Sequence, residues 1–420
     1  MELFNQLGAE IEDVWRATNY NEERLPAIAA DALKRAHLPE KLSAWEVVEW
    51  SLKQTELPPQ RDLPGKFGDP PITIYVGPRF HIDVYFWFEG TTAIHQHGFC
   101  GAFQVLLGSS IHSWYEFERS EVINTFTEIG ALSLKVCELL EVGDVQEIWA
   151  GRQYIHSLFH LDQPSATIVV RTDKTPLYLP QFAYHKPSLA IDPFFEQATT
   201  TKKIQVLSAL IRAKREDADA QISALLETCD LQTSFMILSQ LRGLFRSDQI
   251  SKLFKLDEPR ARFERFLDIV RERHGSAGAS LGPVFHYYDH LDEIVMRRQF
   301  VTRPEHRFFM ALLMNVDDRT RIFSLIKQRF PDADPIEKVL DWVFDLAETR
   351  VVGLETSNAL GIPDFGNAEM FVLEKLLHGH SDDEIRSSFA AEHPGGDASV
   401  ADAAIAKVRN ATIFRPLLTA

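Results

Sequence analysis

Apolar positions divide the chain into three stretches. From residue 1 to about 56, Leu3, Leu7, Ile11, Val14 and Trp15 recur at helical spacing, and Ala27–Ala36 is rich in helix formers. The prolines and glycines of the next segment, 57–71, exclude regular structure. From 72 to about 184 the pattern changes to short alternating or unbroken apolar runs: Ile72–Val76, Phe80–Phe88, Ala102–Leu107, Ser113–Glu118, Leu132–Cys137 and Ala166–Val170. Glycines at 90, 98, 101, 108, 130, 143 and 151 punctuate them, which predicts a sandwich or small barrel of short strands. After Asp192-Pro193 helical spacing returns, in Gln205–Ile211, Phe263–Val270, Phe308–Met314 and Val339–Ala347. Gly275–Pro283 reads as a flexible break, Pro331–Pro335 as a cap and turn, and 392–400 as a surface loop. The predicted class is α+β: an N-terminal helical segment and loop at 1–70, a barrel at 71–190, and a helical C-terminal domain at 191–420.

Composition narrows the function classes. A chain of 420 residues exceeds one ordinary core, so more than one domain is expected. With 45% hydrophobic residues it can bury a sizeable interior. A formal charge of −16 argues against nucleic acid as a partner, since phosphate contacts need a basic face. The three cysteines, Cys100, Cys137 and Cys229, form no CxxC pair, so neither a disulfide framework nor a cysteine zinc site is expected. The N-terminal residues carry no basic-then-apolar signal pattern, and no apolar run is long enough to span a membrane. A soluble cytoplasmic protein with no membrane partner is the expectation.

Candidate chemistry centres on His95-Gln96-His97, just beyond the strand-like run Phe80–Phe88. Side chains alternate faces along a strand, so His95 and His97 point the same way. Two imidazoles on one face can hold a metal ion if a third arrives from a neighbouring strand, and His156 stands in a similar setting.

The segment Gly90-x4-His95-x-His97, with Gly108 after the next strand, resembles the first motif of the cupin superfamily. Gly143-Asp144 followed by Gly151 and His156 resembles the second. The resemblance covers roughly 70–185 and implies a double-stranded β-helix barrel whose ligands converge inside it. Within the superfamily, Arg79–His97 is similar to the approach strand of thiol dioxygenases of the cysteine dioxygenase type. Those enzymes hold iron(II) with three histidines and no carboxylate. Here Gly101 and Ala102 occupy the positions where most cupins place a glutamate ligand. The resemblance implies His95, His97 and His156 as metal ligands, with Fe(II) as the cofactor and Zn, Mn or Ni as alternatives.

The chain also departs from that family. Its Ser-x-His-x-Tyr run corresponds here to Ser165-Ala-Thr167-Ile-Val169, without the histidine and tyrosine. The carboxylate-binding arginine is absent from Ile72–Val76, and Cys100 lies three residues past His97 rather than five. Cysteine is therefore a poor substrate, while Arg171 could replace the lost anion binder. Three neutral imidazoles leave a divalent cation its full charge, so an anionic substrate is favoured. Candidate catalytic residues are Arg171, His160 (as a group orienting a ligand) and Cys100. His81 and His112 read as polar strand positions, and Tyr85, Trp87, Phe103 and Trp114 as barrel filling. His286 and His290, one helical turn apart, lack the glutamate of a zinc-protease motif.

The expected function is a dioxygenase-like oxidoreductase whose partners are a small anionic, possibly thiol-bearing, substrate and dioxygen. Two alternatives remain open: a non-catalytic ligand- or metal-binding sensor or scaffold, and a zinc or manganese isomerase or hydrolase. The C-terminal helices could cover the barrel mouth, form a homodimer or bind another partner.

Overall fold

The computed structural model describes residues 1–63, 67–88, 90–195, 197–246, 258–351, 358–392 and 398–419. Four helices come first: α1 (Glu2–Ala17), α2 (Leu25–Ala36), α3 (Leu38–Lys41) and α4 (Ala44–Lys53). On α1 the buried stripe is Phe4, Leu7, Ile11 and Trp15, while Val14 faces solvent. The Trp15 indole N–H donates to Asn21 O (2.8 Å), closing the turn after the helix. A capping box of Ser43 and Glu46 starts α4 and satisfies two of its free amide groups.

Twelve strands follow: β1 (Pro71–Val76), β2 (Phe80–Trp87), β3 (Gly90–Thr91), β4 (Ile94–His97), β5 (Gly101–Leu107), β6 (Ser110–Asn124), β7 (Thr127–Leu140), β8 (Val145–Ile148), β9 (Gly151–His160), β10 (Ser165–Thr172), β11 (Ala183–His185) and β12 (Leu189–Ile191). They build a five-stranded sheet, β1-β2-β10-β5-β8, and a seven-stranded one, β3-β9-β4-β11-β12-β7-β6. A further β6–β9 pairing closes β4, β6, β7, β9, β11 and β12 into a six-strand ring. Each predicted strand run falls on a strand, and β6 and β7 extend well beyond theirs.

Alternation along the strands decides what each face does. On β2, Ile82, Val84 and Phe86 pack with β5, β10 and the N-terminal helices, forming a core with Phe4, Ile11, Trp15 and Leu33. Tyr85 faces the other way and joins Phe103, Tyr154, Leu158 and Val169 between the two sheets. The outward side of β6, β7 and β9 contributes Ile111, Leu139 and Phe159 to the largest core, shared with the C-terminal helices. The fold is thus mixed α/β, with helices covering both outer faces and a site-bearing interior between the sheets.

The C-terminal part is helical, as its spacing predicts. One feature differs. Gly275–Pro283 is largely helical rather than a loop: Glu258–Ala279 continues through it with a kink at Gly275 (φ 59°, ψ −130°), and Leu281–Arg298 follows almost directly. Glycine alone tolerates that backbone without strain, so the break is a single-residue bend. Asp334 caps the helix Pro335–Glu348, with Pro335 at its first position. The expected surface loop at 392–400 falls mostly on 393–397, outside the described residues. Polar contacts tie this region to the barrel: Lys186 Nζ bonds both Asp317 carboxylate oxygens at 2.8 Å, His185 bonds the Tyr288 hydroxyl, and Arg321 and Gln328 donate to the carbonyls of Lys135 (3.3 Å) and Leu139 (3.2 Å).

Candidate metal centre

His95 and His97 occupy one face of β4, and His95 lies directly across from His156 on β9. The three rings meet edge-on or tilted, with centroids 4.6 to 4.9 Å apart. One ligand nitrogen from each lies within 4.8 Å of the others, all three side chains are buried, and no other such group occurs among the described residues.

Hydrogen-bond partners assign the tautomers. His95 Nδ1 donates to Ala93 O at 2.6 Å, which leaves its Nε2 as a buried lone pair with no protein partner. The turn before it is pinned by Leu158, whose N–H donates to Thr92 Oγ1 (2.8 Å) and whose carbonyl accepts from Thr92 N (2.9 Å). His156 Nδ1 donates to His112 Nε2 (3.0 Å), and His112 Nδ1 donates to Glu138 Oε1 (3.0 Å). The Trp114 indole N–H (2.9 Å) and Tyr154 hydroxyl (3.3 Å) also converge on His112 Nε2, as suits an acceptor. His156 therefore presents Nε2 inward, 2.8 Å from Nε2 of His97. Two neutral imidazole nitrogens that close need a shared proton or cation between them.

Burial pushes the pKa of His95, His97 and His156 below 6.5, and their mutual proximity pushes His97 and His156 further down. They stand neutral at pH 7, the form that donates to a metal. An orphaned buried Nε2, a crowded pair of Nε2 atoms and enforced neutrality fit a divalent cation held by three imidazoles. A carboxylate from Gly101 is sterically excluded: a Cβ there would stand 1.8 Å from the Val170 carbonyl oxygen.

His112, read from sequence as an ordinary strand position, is fully buried and bonded to a metal-ligand candidate. Its partner Glu138 also accepts from Gln146 Nε2 at 3.0 Å. Outer partners of this kind fix the ligand ring and its tautomer. Glu138→Gln and His112→Ala are each expected to weaken metal affinity by roughly 10- to 100-fold while the fold persists. Competition against a chelator of known affinity measures this; unchanged affinity in both variants would remove the relay from the site.

Above the triad opens a cavity of about 670 Å³. His95, His97, Tyr85, Trp87, Phe99 and Arg171 line it, so Arg171 shares the chamber with two of the three histidines. Its Nη1 lies 3.4 Å from the Tyr85 hydroxyl, and its guanidinium rests 3.8 Å over the Phe99 ring. Lys174, which sequence reasoning missed, also lines the cavity, with Nζ 3.3 Å over Phe194. Asp83 accepts from Thr73 Oγ1 (2.8 Å) and the Tyr85 hydroxyl (2.9 Å), and His81 Nε2 stands 3.2 Å away. Burial alone would raise the Asp83 pKa, but His81, Thr73 and Arg171 outweigh it and keep the carboxylate charged. A smaller apolar recess of about 40 Å³, lined by Phe103, Ile148, Leu158 and Val169, adjoins His156.

The other two catalytic candidates lie elsewhere. His160 stacks on Trp87 (4.6 Å, 12°) and its Nδ1 bonds Ser165 Oγ (2.8 Å); its pKa is pushed down to about 3 by burial. Ser165, the one residue matching the thiol dioxygenase run, thus finds a histidine from β9. Cys100 packs in the core against the N-terminal helices, with its thiol 3.4 Å from Glu22 O and its pKa pushed up to about 12 by burial. Phe99 lies against His97 and lines the cavity, whereas Cys100 points away, into the core shared with the N-terminal helices. His286 bonds Glu264 on the surface (3.3 Å) and forms no ligand group with His290.

No family model matches the chain, and no curated protein does. Two solved structures of the capsular polysaccharide assembling protein CapF from Staphylococcus aureus are similar to 28% and 29% of it, at 17% and 16% identity and TM-scores of 0.16 and 0.15. The matched part spans 33% of each of those chains, about a third of their length. Scores that low carry no argument. The class of the site rests on its own geometry: a histidine triad in the interior between two sheets, one of them closed into a ring, that could hold a metal ion, an arrangement that fits a cupin. No helix among the described residues is long and apolar enough to cross a membrane.

Proposed function

We propose that the chain is a metal-dependent cupin with a double-stranded β-helix barrel, and that it acts as a mononuclear non-haem iron oxygenase of the thiol-dioxygenase-like type on an anionic substrate. The observation that carries this reading is the convergence of three buried, neutral imidazoles, with a lone pair of His95 aimed at no protein group. Iron(II) held by His95, His97 and His156 would supply a redox centre with open positions for substrate and dioxygen.

The chain's own residues prepare that meeting. Ala93 O and the His112–Glu138 pair hold the rings of His95 and His156. Three neutral ligands leave the cation's charge uncompensated, and Arg171 and Lys174 add positive potential in the same chamber, so an anion is drawn in. Tyr85, Trp87 and Phe99 exclude water from the inner wall. The recess beside His156 is apolar, and such pockets admit a small nonpolar gas more readily than water.

A second reading rests on β10, where Thr167 and Val169 stand in place of the thiol dioxygenase His and Tyr. Zinc at the same triad would instead activate a bound water for hydrolysis or isomerisation. Metal analysis of protein purified without oxygen, followed by oxygen-electrode assays over a panel of thiols and organic acids, separates the two. About one equivalent of iron with substrate-dependent oxygen uptake is expected. Zinc without uptake would overturn the oxygenase, and substoichiometric metal with normal folding would point to a ligand-binding scaffold.

A further inference from the structure

The cavity walls narrow the substrate further, an inference that rests on the anionic-substrate reading above. Three cations line the chamber, Arg61, Arg171 and Lys174. Arg61 is paired with Asp173. Among the described residues no carboxylate oxygen comes within 4.0 Å of Arg171 or Lys174. In a chain with 60 acidic and 44 basic residues, two unpaired cations in one cavity are informative. Arg171 spends only two of its donors, both on long contacts: Tyr85 Oη at 3.4 Å and Thr172 O at 3.5 Å. Lys174 is held close to the triad, since its Cγ lies 3.8 Å from where a Cβ on Gly98 would stand. Asp83 acts on Arg171 and Asp192 on Lys174 from beyond 4.0 Å, and Asp62 also lines the wall, so the formal charges balance; what the two cations offer a carboxylate is hydrogen-bond donors that no acid takes up.

The rest of the wall is aromatic, and its polar handles are already used. The Trp87 indole N–H donates to Thr167 Oγ1 (3.2 Å), and the Tyr85 hydroxyl donates to Asp83 (2.9 Å). What remains toward the cavity is ring surface: Tyr85 and Trp87 meet edge to face at 5.9 Å, and Phe67 closes on both at 5.6 and 5.2 Å. Phe67 also meets the edge of His95 at 6.0 Å, so the aromatic surface runs up to the triad. A volume of about 670 Å³ far exceeds what an amino acid fills, and lies within the range of sites for much larger ligands.

We propose that this cavity takes an organic carboxylate borne on a flat aromatic body, its carboxylate between Arg171 and Lys174 and its ring against Phe67, Tyr85 and Trp87. Aromatic faces favour such rings over aliphatic chains of equal area, and charge-assisted bonds to a carboxylate are lost by a neutral amide.

Calorimetric titration of the full chain with 2-naphthoate, 2-naphthamide and propionate, each metal-free and with one equivalent of Zn(II), tests this. One 2-naphthoate per chain is expected, with the amide and propionate each weaker by about tenfold or more. Lys174→Met and Arg171→Met should each weaken 2-naphthoate by about tenfold and leave the amide unchanged. Lys174 is exposed, so its variant keeps the test open if the arginine variant fails to fold. Equal binding of naphthoate and amide would overturn the role of the cations. Propionate binding as tightly as naphthoate would overturn the aromatic platform, and no binding in either metal state would overturn both. Zn(II) stoichiometry, read by titrating the metal-free chain with Zn(II) alone, reports separately on the triad: intact zinc binding without naphthoate binding defeats only this inference.

Discussion

His156→Ala is expected to lower metal affinity by about a thousandfold or more while the helical circular dichroism signal stays intact. The ring supplies one of three ligands, and its loss removes both a bond and the anchor that His112 and Glu138 provide. Its Nε2 also stands 2.8 Å from that of His97, so two ligands lose their mutual arrangement at once. His97→Ala should behave alike, whereas Cys100→Ala should leave metal affinity unchanged, because that thiol faces the N-terminal helices. Folding should survive, since the large helical cores of the chain do not include the triad. Inductively coupled plasma analysis after dialysis measures the effect. Full metal retention by His156→Ala would exclude it as a ligand.

The metal-free protein is expected to lose at least about 3 kcal/mol of stability between pH 7.5 and 5.5. Burial depresses the pKa of His95, His97, His112 and His156, and takes His160 down to about 3. The unfolded chain binds a proton at each near pH 6.5, whereas the folded chain binds it only at lower pH, well below 6.5 for His97, His156 and His160. Stability is therefore complete above pH 6.5 and declines as the pH falls toward the folded values. His160 contributes about 1.4 kcal/mol over that interval, and so does His185, which burial takes down to about 4; the other four rings act in the same direction. Asp83, held below the ordinary carboxylate range, titrates at lower pH, outside this window. Urea unfolding midpoints at the two pH values measure the loss, and His160→Gln should shrink it by one histidine's share. A midpoint independent of pH would contradict the buried, neutral state of these rings.

How far the sequence reached depends on the range of the signal. Period-two alternation places His95 and His97 on one face from local information alone, but it ends with the strand at His97, and the bends at Gly98 and Phe99 left the direction of Cys100 unmarked. His112 and Glu138 were out of reach because their meeting depends on register. In a bulge-free hairpin that pairs Asn124 with Thr127, partner numbers sum to 251, which would set His112 opposite Leu139. Three irregularities in the β6–β7 ladder move the partner to Glu138 and so reverse which face is met. Lys174 lies in the loop after β10, where no periodicity marks a direction. Helix positions were legible from their stripes, but a bend confined to Gly275 looks in sequence like a longer glycine-rich loop. The steric exclusion at Gly101 needed the approach of β10, which no local pattern reveals.

X-ray absorption spectroscopy on the protein loaded with one equivalent of zinc tests the shared centre most directly. The expected result is a first shell containing three imidazole nitrogens at about 2.0 to 2.1 Å, reduced to two in His156→Ala. A shell of oxygen ligands only, or one that the substitution leaves unchanged, would contradict a metal site built from these rings.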